Sequence, residues 1–272
     1  MPHAVTVMRD YLDPAWHGVL QRNGLGSFDA LWSLQAGWFE APNQRRGGWS
    51  GVVRLELDDD AGHQRVIFLK RQENHRRRSL RHPVGGEPTF AAEIRNILAL
   101  VRADVPTMHP VYYAQRRVGG HWRAILATEE LAGYRPLDEV IDDWRTRGWS
   151  ATLDERRRVL RTAADVARRL HEQRLAHNAM HPKHLFVRCD STRVDVRLID
   201  LEKMRRVATR ERAMHRDLDS LNRRTLHLSR TDRLRYLMHY LGVSRVTPEL
   251  RRHWQHFVRR VQHRADKAAA DG

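Results

Sequence analysis

The pattern of apolar residues changes type near residue 131, and this change constrains the fold of the 272-residue chain more than any other feature. Before residue 131, alternating and β-branched runs typical of strands dominate, whereas after Pro136 the apolar residues mostly recur at helical spacing. A β-rich first half and a helix-rich second half predict an α+β protein with two lobes. We therefore expect an N-terminal lobe over residues 1–131 and a C-terminal lobe over residues 132–272.

The first half predicts strands, one helix and a long loop. A strand over residues 28–40 is expected to run into a turn, and a hairpin that ends at Lys70 follows it. Residues 71–88 predict a loop, because charged residues, Gly and Pro dominate them. Residues 89–103 predict a helix with one apolar face, and two strands then flank Gly119-Gly120. The second half predicts helices with β-like interruptions at Leu185–Val187 and Val194–Ile199.

The formal net charge of +16 indicates an acidic partner, such as nucleic acid, an anionic membrane surface or a phosphorylated substrate. No recognition helix, zinc finger or aromatic RNA platform is visible, so charge alone supports nucleic acid and no specific nucleic-acid partner is expected.

The single cysteine, Cys189, excludes an internal disulfide. Residues 1–26 lack a secretory signal, and no apolar run approaches the ~18 residues of a membrane span, so we expect a cytoplasmic protein.

Candidate phosphate-binding groups occur in the first half. The glycines of GGWSGVV (47–53) would let backbone N–H groups approach a phosphate, although closing a hairpin is the commoner use of such glycines. Lys70 ends an apolar strand, where its ammonium needs a partner, and Glu93 on the next helix can supply one.

The second half offers a carboxylate and a histidine-rich loop. Asp200 ends the β-branched run VDVRLID, where it would either hold Mg²⁺ or cap the next turn. His177, His181 and His184 precede it in HNAMHPKHLF. No Cys, Asp or Glu lies within that loop, which disfavours a zinc site there.

Six segments together resemble the lipopolysaccharide kinase family, with its Kdo/heptose kinases and InaA-like members: GGWSGV, VIFLKRQ, EPTFAAEIRNI, HPKHLFV, LIDLEK and RDLDSLNR. The likeness covers about residues 28–240. It implies a two-lobed protein-kinase-like fold, ATP and Mg²⁺ as cofactors, and an alcohol group on a sugar of the lipopolysaccharide inner core as acceptor. It also implies an anionic, phosphorylated partner and peripheral contact with the inner face of the inner membrane.

The resemblance assigns the nucleotide site to the N-terminal lobe. Gly48 and Gly51 would cover the phosphates, and Lys70 would hold them while it pairs with Glu93. The backbone of Thr128–Leu131, including Glu129 and Leu131, would read adenine.

A basic segment follows the strand of Lys70. We expect Arg76, Arg77 and Arg78 to contact the anionic acceptor, although a solvated loop would have the same composition.

In the C-terminal lobe, the resemblance gives Asp200 the role of metal ligand. His184 stands where kinases keep a metal-binding Asn, although imidazole is a poorer Mg²⁺ ligand than an amide oxygen. Asp217 would brace the catalytic loop from the following helix.

The catalytic loop itself departs from the kinase pattern. His177 matches its first residue, and His181 and Lys183 join Asp200 in the predicted catalytic set, but Ala179 replaces the Asp that accepts the hydroxyl proton.

Three hypotheses remain open for this loop. Positioning and charge neutralisation carry most of the rate in phosphoryl transfer, so the enzyme can work without a base, with an imidazolium at His181 neutralising charge. Alternatively, His181 supplies the base, an effect typically worth 10²–10⁴-fold. The third hypothesis is a pseudokinase with a regulatory or scaffolding role.

Overall fold

The computed structural model describes residues 10–45, 47–79 and 82–270. These residues form two compact units. The first contains the described residues up to Ala99 together with Met108–Leu131, and the second contains Leu100–Thr107 and the chain from Ala132 onward. A sheet dominates the first unit and helices dominate the second, which confirms the predicted α+β class.

The first unit is built on antiparallel strands. Their bounds are β1 (Tyr11–Leu12), β2 (Trp38–Arg45), β3 (Gly48–Asp58), β4 (Gln64–Glu73), β5 (Arg76–Ser79), β6 (His82–Pro88), β7 (Pro110–Val118) and β8 (His121–Glu129). Six of them form one sheet in the order β1-β7-β8-β4-β3-β2, and β5 pairs with β6 separately. Lys70 lies on β4, between Val52 of β3 and Leu126 of β8, so the sheet fixes its backbone on both sides.

Two helices, α1 (Pro14–Arg22) and α2 (Phe28–Ser33), cover this sheet and share its apolar core. The predicted strand over residues 28–40 is therefore wrong in its first half. Ser27 caps α2 by accepting a hydrogen bond from the Ala30 N–H at 3.1 Å. Phe28 and Leu31, one turn apart, are both buried, and the strand begins only at Trp38.

The predicted loop over residues 71–88 is also wrong, because β4 continues to Glu73 and the β5–β6 hairpin follows. A buried polar network holds this segment. Thr89 Oγ1 donates to Gln72 Oε1 at 2.7 Å, and Gln72 Nε2 donates to the His75 carbonyl at 2.8 Å. A polar segment can be buried only when its polar groups form hydrogen bonds within the protein, and these contacts supply them.

Helix α3 (Thr89–Arg102) confirms the helix predicted over residues 89–103. Phe90, Ile94 and Ile97 are buried as the periodicity indicates. Val101, which has the spacing of the same apolar face, is 51% exposed, and Leu100 is buried in its place.

The second unit contains mostly helices. Their bounds are α4 (Leu137–Arg147), α5 (Leu153–Glu172), α6 (Arg210–Asn222), α7 (Arg230–Leu241) and α8 (Pro248–Ala270). Between them lie the short strands β9 (Arg135–Pro136), β10 (Leu175–Ala176), β11 (Leu185–Cys189), β12 (Val194–Leu198) and β13 (Arg205–Arg206). Strands β11 and β12 pair antiparallel and confirm the two predicted β-like segments.

Residues 100–107 belong to the second unit because hydrogen bonds tie them to the end of β12. The Leu198 N–H donates to the Pro106 carbonyl at 3.1 Å, and Thr107 Oγ1 donates to the Leu198 carbonyl at 2.8 Å. The strand that leads to Asp200 is thereby fixed at its last residues.

Candidate active site

Lys70 and Glu93 form a short ion pair within the first unit. Lys70 Nζ lies 2.6 Å from Glu93 Oε1, and the Glu93 side chain is only 3% exposed. A carboxylate buried to this degree needs a partner charge, and Lys70, itself 23% exposed, supplies it. The pair fixes the ammonium at the centre of the sheet while leaving part of it accessible.

Close packing in the first unit explains why Gly48 and Gly51 are glycines. A Cβ on Gly48 would lie 2.1 Å from the Glu73 carbonyl oxygen, and one on Gly51 would lie 2.7 Å from the Trp38 ring. Both positions therefore require glycine for close approach inside the sheet. Packing alone accounts for both glycines, so their contact with phosphates stays a prediction.

The segment predicted to read adenine, Thr128–Leu131, uses several of its polar groups for hydrogen bonds and an ion pair within the first unit. The Glu129 N–H donates to the His109 carbonyl at 2.9 Å, and the Glu130 N–H donates to the Val66 carbonyl at 2.9 Å. The Glu129 carboxylate binds Arg65 at 3.0 Å. The Glu129 carbonyl and the backbone of Leu131 are the groups that the adenine prediction still depends on.

The predicted acceptor contacts lie on strand β5 and not on a loop. Arg76 is exposed and Arg77 is half-buried, whereas the side chain of Arg78 lies outside the described residues, as do Leu80 and Arg81. An exposed Arg76 suits contact with an anion, and the prediction for the three arginines stays open.

A buried carboxylate braces the loop that precedes β11 in the second unit. The Asp217 side chain accepts hydrogen bonds from the N–H groups of His177 at 2.6 Å and Asn178 at 2.9 Å. It also lies 3.1 Å from His171 Nε2. Asp217 is fully buried, so these partners fix the backbone of the loop. The expected brace is present.

Asn178 strengthens this brace and was missed by the sequence interpretation. Its backbone is left-handed, with φ 61°, and its Nδ2 donates to the carbonyls of Ala176 and Lys203. Asn is among the few residues that tolerate this conformation. The presence of an Asn at this place in the loop is the sequence signal that could have identified it.

His177 positions the loop and does not reach a substrate, because its side chain is fully buried. Its Nε2 donates to the Ile199 carbonyl at 2.9 Å, immediately before Asp200 in the chain. Burial lowers its pKa, so the ring is neutral. The predicted catalytic contribution of His177 is thus indirect.

His184 and Asp200 form the part of the site with the chemistry of a cation site. His184 Nδ1 donates to the Ala179 carbonyl at 2.8 Å, so in a neutral ring Nε2 carries the lone pair. This nitrogen lies 3.3 Å from Asp200 Oδ2. Two acceptors at that distance require a proton or a cation between them. Asp200 also has a left-handed backbone, φ 56°, which is characteristic of functional positions.

His181 completes a row of three imidazoles. The ring centroids of His181 and His184 are 5.0 Å apart, and those of His184 and His177 are 6.0 Å apart. Burial, followed by the charge of Arg224, lowers the pKa of His181 to about 4. A neutral imidazole favours proton acceptance over the imidazolium role. Lys183 is exposed beside it.

Ala179 occupies the position at which kinases carry the base, and it is buried. Its methyl group is 2% exposed, and its carbonyl accepts from His184 Nδ1 and from the His181 N–H at 2.7 Å. The residue contributes to the loop through its backbone alone.

A model of the Lipopolysaccharide kinase (Kdo/WaaP) family matches residues 29–240. The chain belongs to this family. Protein InaA of Escherichia coli (strain K12) is 30% identical to this chain over 197 residues, which cover 72% of this chain and 87% of InaA.

A solved structure titled "WaaP in complex with acyl carrier protein" matches with a TM-score of 0.69 and 25% sequence identity. The match covers 96% of this chain and 99% of that one. The predicted protein-kinase-like fold is confirmed by this similarity. Among the described helices, none combines the length and the apolar character that a membrane span requires.

Proposed function

We propose that this member of the lipopolysaccharide kinase family is an ATP-dependent kinase that phosphorylates a hydroxyl group on a sugar of the lipopolysaccharide inner core. The ion pair of Lys70 with the buried Glu93 at 2.6 Å carries the proposal. A buried lysine–glutamate pair on neighbouring strand and helix is the arrangement with which kinases hold the phosphates of ATP.

The residues of the second unit fit a divalent cation. The Asp200 carboxylate is 41% exposed and faces the lone pair of His184 Nε2, so both groups are available as ligands. Oxygen is the ligand Mg²⁺ prefers, so Asp200 would contribute more than His184. Bound Mg²⁺ supplies charge neutralisation between phosphate oxygens. The hydrogen bonds of Asp217 would then hold the loop that carries His184 in position relative to Asp200.

The proton of the acceptor hydroxyl needs no aspartate in this scheme. His181 is neutral at pH 7, with its pKa near 4, and is the group in the loop suited to take that proton. Positioning by the braced loop supplies the remainder of the rate, since phosphoryl transfer asks for little covalent chemistry from the protein.

An anionic acceptor suits the charge of the chain. The net charge of +16 and the exposed Arg76 favour a phosphorylated, lipid-anchored substrate over a neutral one. We infer that the enzyme works in the cytoplasm and contacts the inner face of the inner membrane peripherally. The acyl carrier protein in the WaaP structure makes a carrier protein a further partner to test.

The test is transfer of radiolabelled phosphate from ATP to purified core lipid in the presence of Mg²⁺, with Lys70→Met as the inactive control. We expect labelled lipid only with the native chain. Equal labelling by both proteins would contradict the proposal.

The pseudokinase alternative is favoured by Ala179 and by the imidazole at position 184. A pseudokinase would give a thermal shift with Mg-ATP and no transfer to core lipid, free sugar or protein. The same two measurements therefore separate the two functions.

A further inference from the structure

Helices α6 and α8 bring together a second set of metal-ligating side chains, separate from His184 and Asp200. Glu211 and His215 lie one turn apart on α6, and His253 lies on α8. Among the described residues, these three form the group of His, Cys, Asp or Glu side chains whose ligand atoms converge. They line a pocket of about 460 Å³ that is open to solvent.

The three ligand atoms are spaced as a single ion would require. His215 Nε2 lies 3.0 Å from His253 Nδ1, and Glu211 Oε1 lies 3.9 Å and 3.8 Å from those two nitrogens. The circle through a triangle of these sides has a radius of about 2.1 Å, which equals the usual length of zinc–nitrogen and zinc–oxygen bonds. One point is thus at bonding distance from all three atoms.

We propose that Glu211, His215 and His253 bind a divalent transition-metal ion of the zinc class. Two imidazoles and one carboxylate form a set that suits zinc, whereas Mg²⁺ prefers oxygen ligands only. Three protein ligands leave a fourth position, which faces the open pocket and takes a solvent molecule.

The surroundings of the ligands support this assignment. His253 is buried and His215 is half-buried, so both rings are held between the two helices. When Nδ1 of His253 binds a metal, its ring proton is on Nε2, and Glu249 Oε1 lies 3.8 Å from that nitrogen. At 3.8 Å the two atoms are not hydrogen-bonded, but a small approach of the exposed Glu249 side chain would give the carboxylate partner that orients a ligating histidine. Arg252 Nη2, 3.4 Å from the same nitrogen, has to move aside.

The ion would join α8 to α6, the helix that also carries Asp217. Its role is therefore that of a structural link behind the braced loop. This role does not depend on which acceptor the kinase uses, and the test below needs no catalytic turnover.

The test is titration of the purified full-length chain with Zn²⁺ by calorimetry and with Co²⁺ by visible absorption. We expect one equivalent to bind in the presence of excess Mg²⁺, with the intense Co²⁺ bands of a four-coordinate site. Glu211→Gln and His253→Gln should each weaken the affinity by at least about 10-fold. Because the Glu211 side chain is 55% exposed, Glu211→Gln keeps the fold even if His253→Gln does not.

Two control variants separate this site from others. His63→Gln changes a histidine that is 79% exposed in the β3–β4 turn, and His184→Gln changes the candidate active site. Both should retain the one equivalent of Zn²⁺. Affinity that is unchanged in Glu211→Gln and His253→Gln, or lost in His184→Gln, would show that the triad is a hydrogen-bonded histidine pair only and would overturn the proposal.

Discussion

The strand–helix pair that carries Lys70 and Glu93 and the loop from His177 to His184 differ in what they keep of the kinase pattern. The first keeps both charged groups, joined at 2.6 Å. The second keeps the buried Asp217 and its hydrogen bonds to the loop backbone, but it carries Ala179 and His184 where kinases carry Asp and Asn. The scaffold of the loop is thus retained while the side chains that it presents have changed.

This difference indicates where the chain can tolerate substitution. Loss of the charged partner of a buried carboxylate such as Glu93 lowers the free energy of unfolding, because the desolvation of the carboxylate is then less well compensated. The loop is fixed through backbone N–H groups, so its shape does not depend on an acid side chain at position 179. Four substitutions test this contrast.

The largest effect is expected from Lys70→Met, which removes the ammonium that we propose binds phosphate and that pairs with the buried Glu93. Removal of one preorganised charged donor typically costs 10²–10³-fold in kcat, so phosphate transfer should fall by about that factor. Lys267→Met, at an exposed lysine of α8, is the matched control and should leave the rate unchanged. A Lys70→Met enzyme that retains full activity would remove the parallel between Lys70 and the kinase lysine.

His181→Ala should reduce kcat by about 10²-fold if His181 accepts the hydroxyl proton. The accepting form is the neutral one, which is present above the pKa of about 4 and is lost only as the pH falls through it. The rate of the native chain should therefore change little between about pH 5.5 and 7.5, where an unperturbed histidine of pKa about 6.5 would give a marked loss.

His227→Gln, at an exposed histidine, serves as the control for that variant. A loss in His181→Ala that stays as large below about pH 4, where the accepting form of the native ring is gone, would point to a positioning role and against proton acceptance.

Asp217→Asn tests the brace. An amide has one acceptor oxygen in place of two, so at least one buried N–H of His177 or Asn178 loses its partner, at about 1–3 kcal/mol of unfolding free energy. We expect kcat to fall several-fold while the KM for ATP stays constant, because the groups of the first unit that we propose bind the nucleotide are unchanged. Asp219→Asn, on the same helix but paired with Arg264, should lower stability without changing kcat.

The smallest effect is expected from His184→Asn, which restores the amide oxygen that Mg²⁺ prefers. The Mg²⁺ concentration for half-maximal activity should fall, by less than about tenfold, because Asp200 remains the main ligand. A rise in that concentration would mean that the imidazole itself is the better ligand in this loop.

The sequence predicted the elements whose local signals agree with their packing. Helix α3 and the β7–β8 hairpin are examples, whereas the brace at Asp217 was assigned by the family resemblance. Residues 28–33 and 71–88 were misassigned because their structure depends on partners distant in sequence or on buried polar contacts. Ala30, Trp32 and Leu34 alternate as in a strand, whereas Phe28 and Leu31 are spaced as in a helix, and the Ser27 cap decides between the two.

The chemistry of the candidate site was less predictable than its location. The low pKa of His181 depends on burial and on Arg224, which is distant in sequence and approaches only in the folded unit. The packing reason for Gly48 likewise requires knowledge of the Glu73 backbone beside it. For the proposed metal site, the spacing of Glu211 and His215 is visible in the sequence, whereas the approach of His253 results from the packing of α8 on α6.

The central claim is that the chain is a working kinase although Ala179 replaces the usual base. The most direct measurement is the single-turnover rate of phosphate transfer from ATP to core lipid, for the native chain beside Lys70→Met, with Mg-ATP binding measured on the same samples. The account predicts that the native chain binds Mg-ATP and transfers phosphate at least about 10²-fold faster than Lys70→Met. Tight Mg-ATP binding by the native chain with a transfer rate no higher than that of Lys70→Met would contradict it.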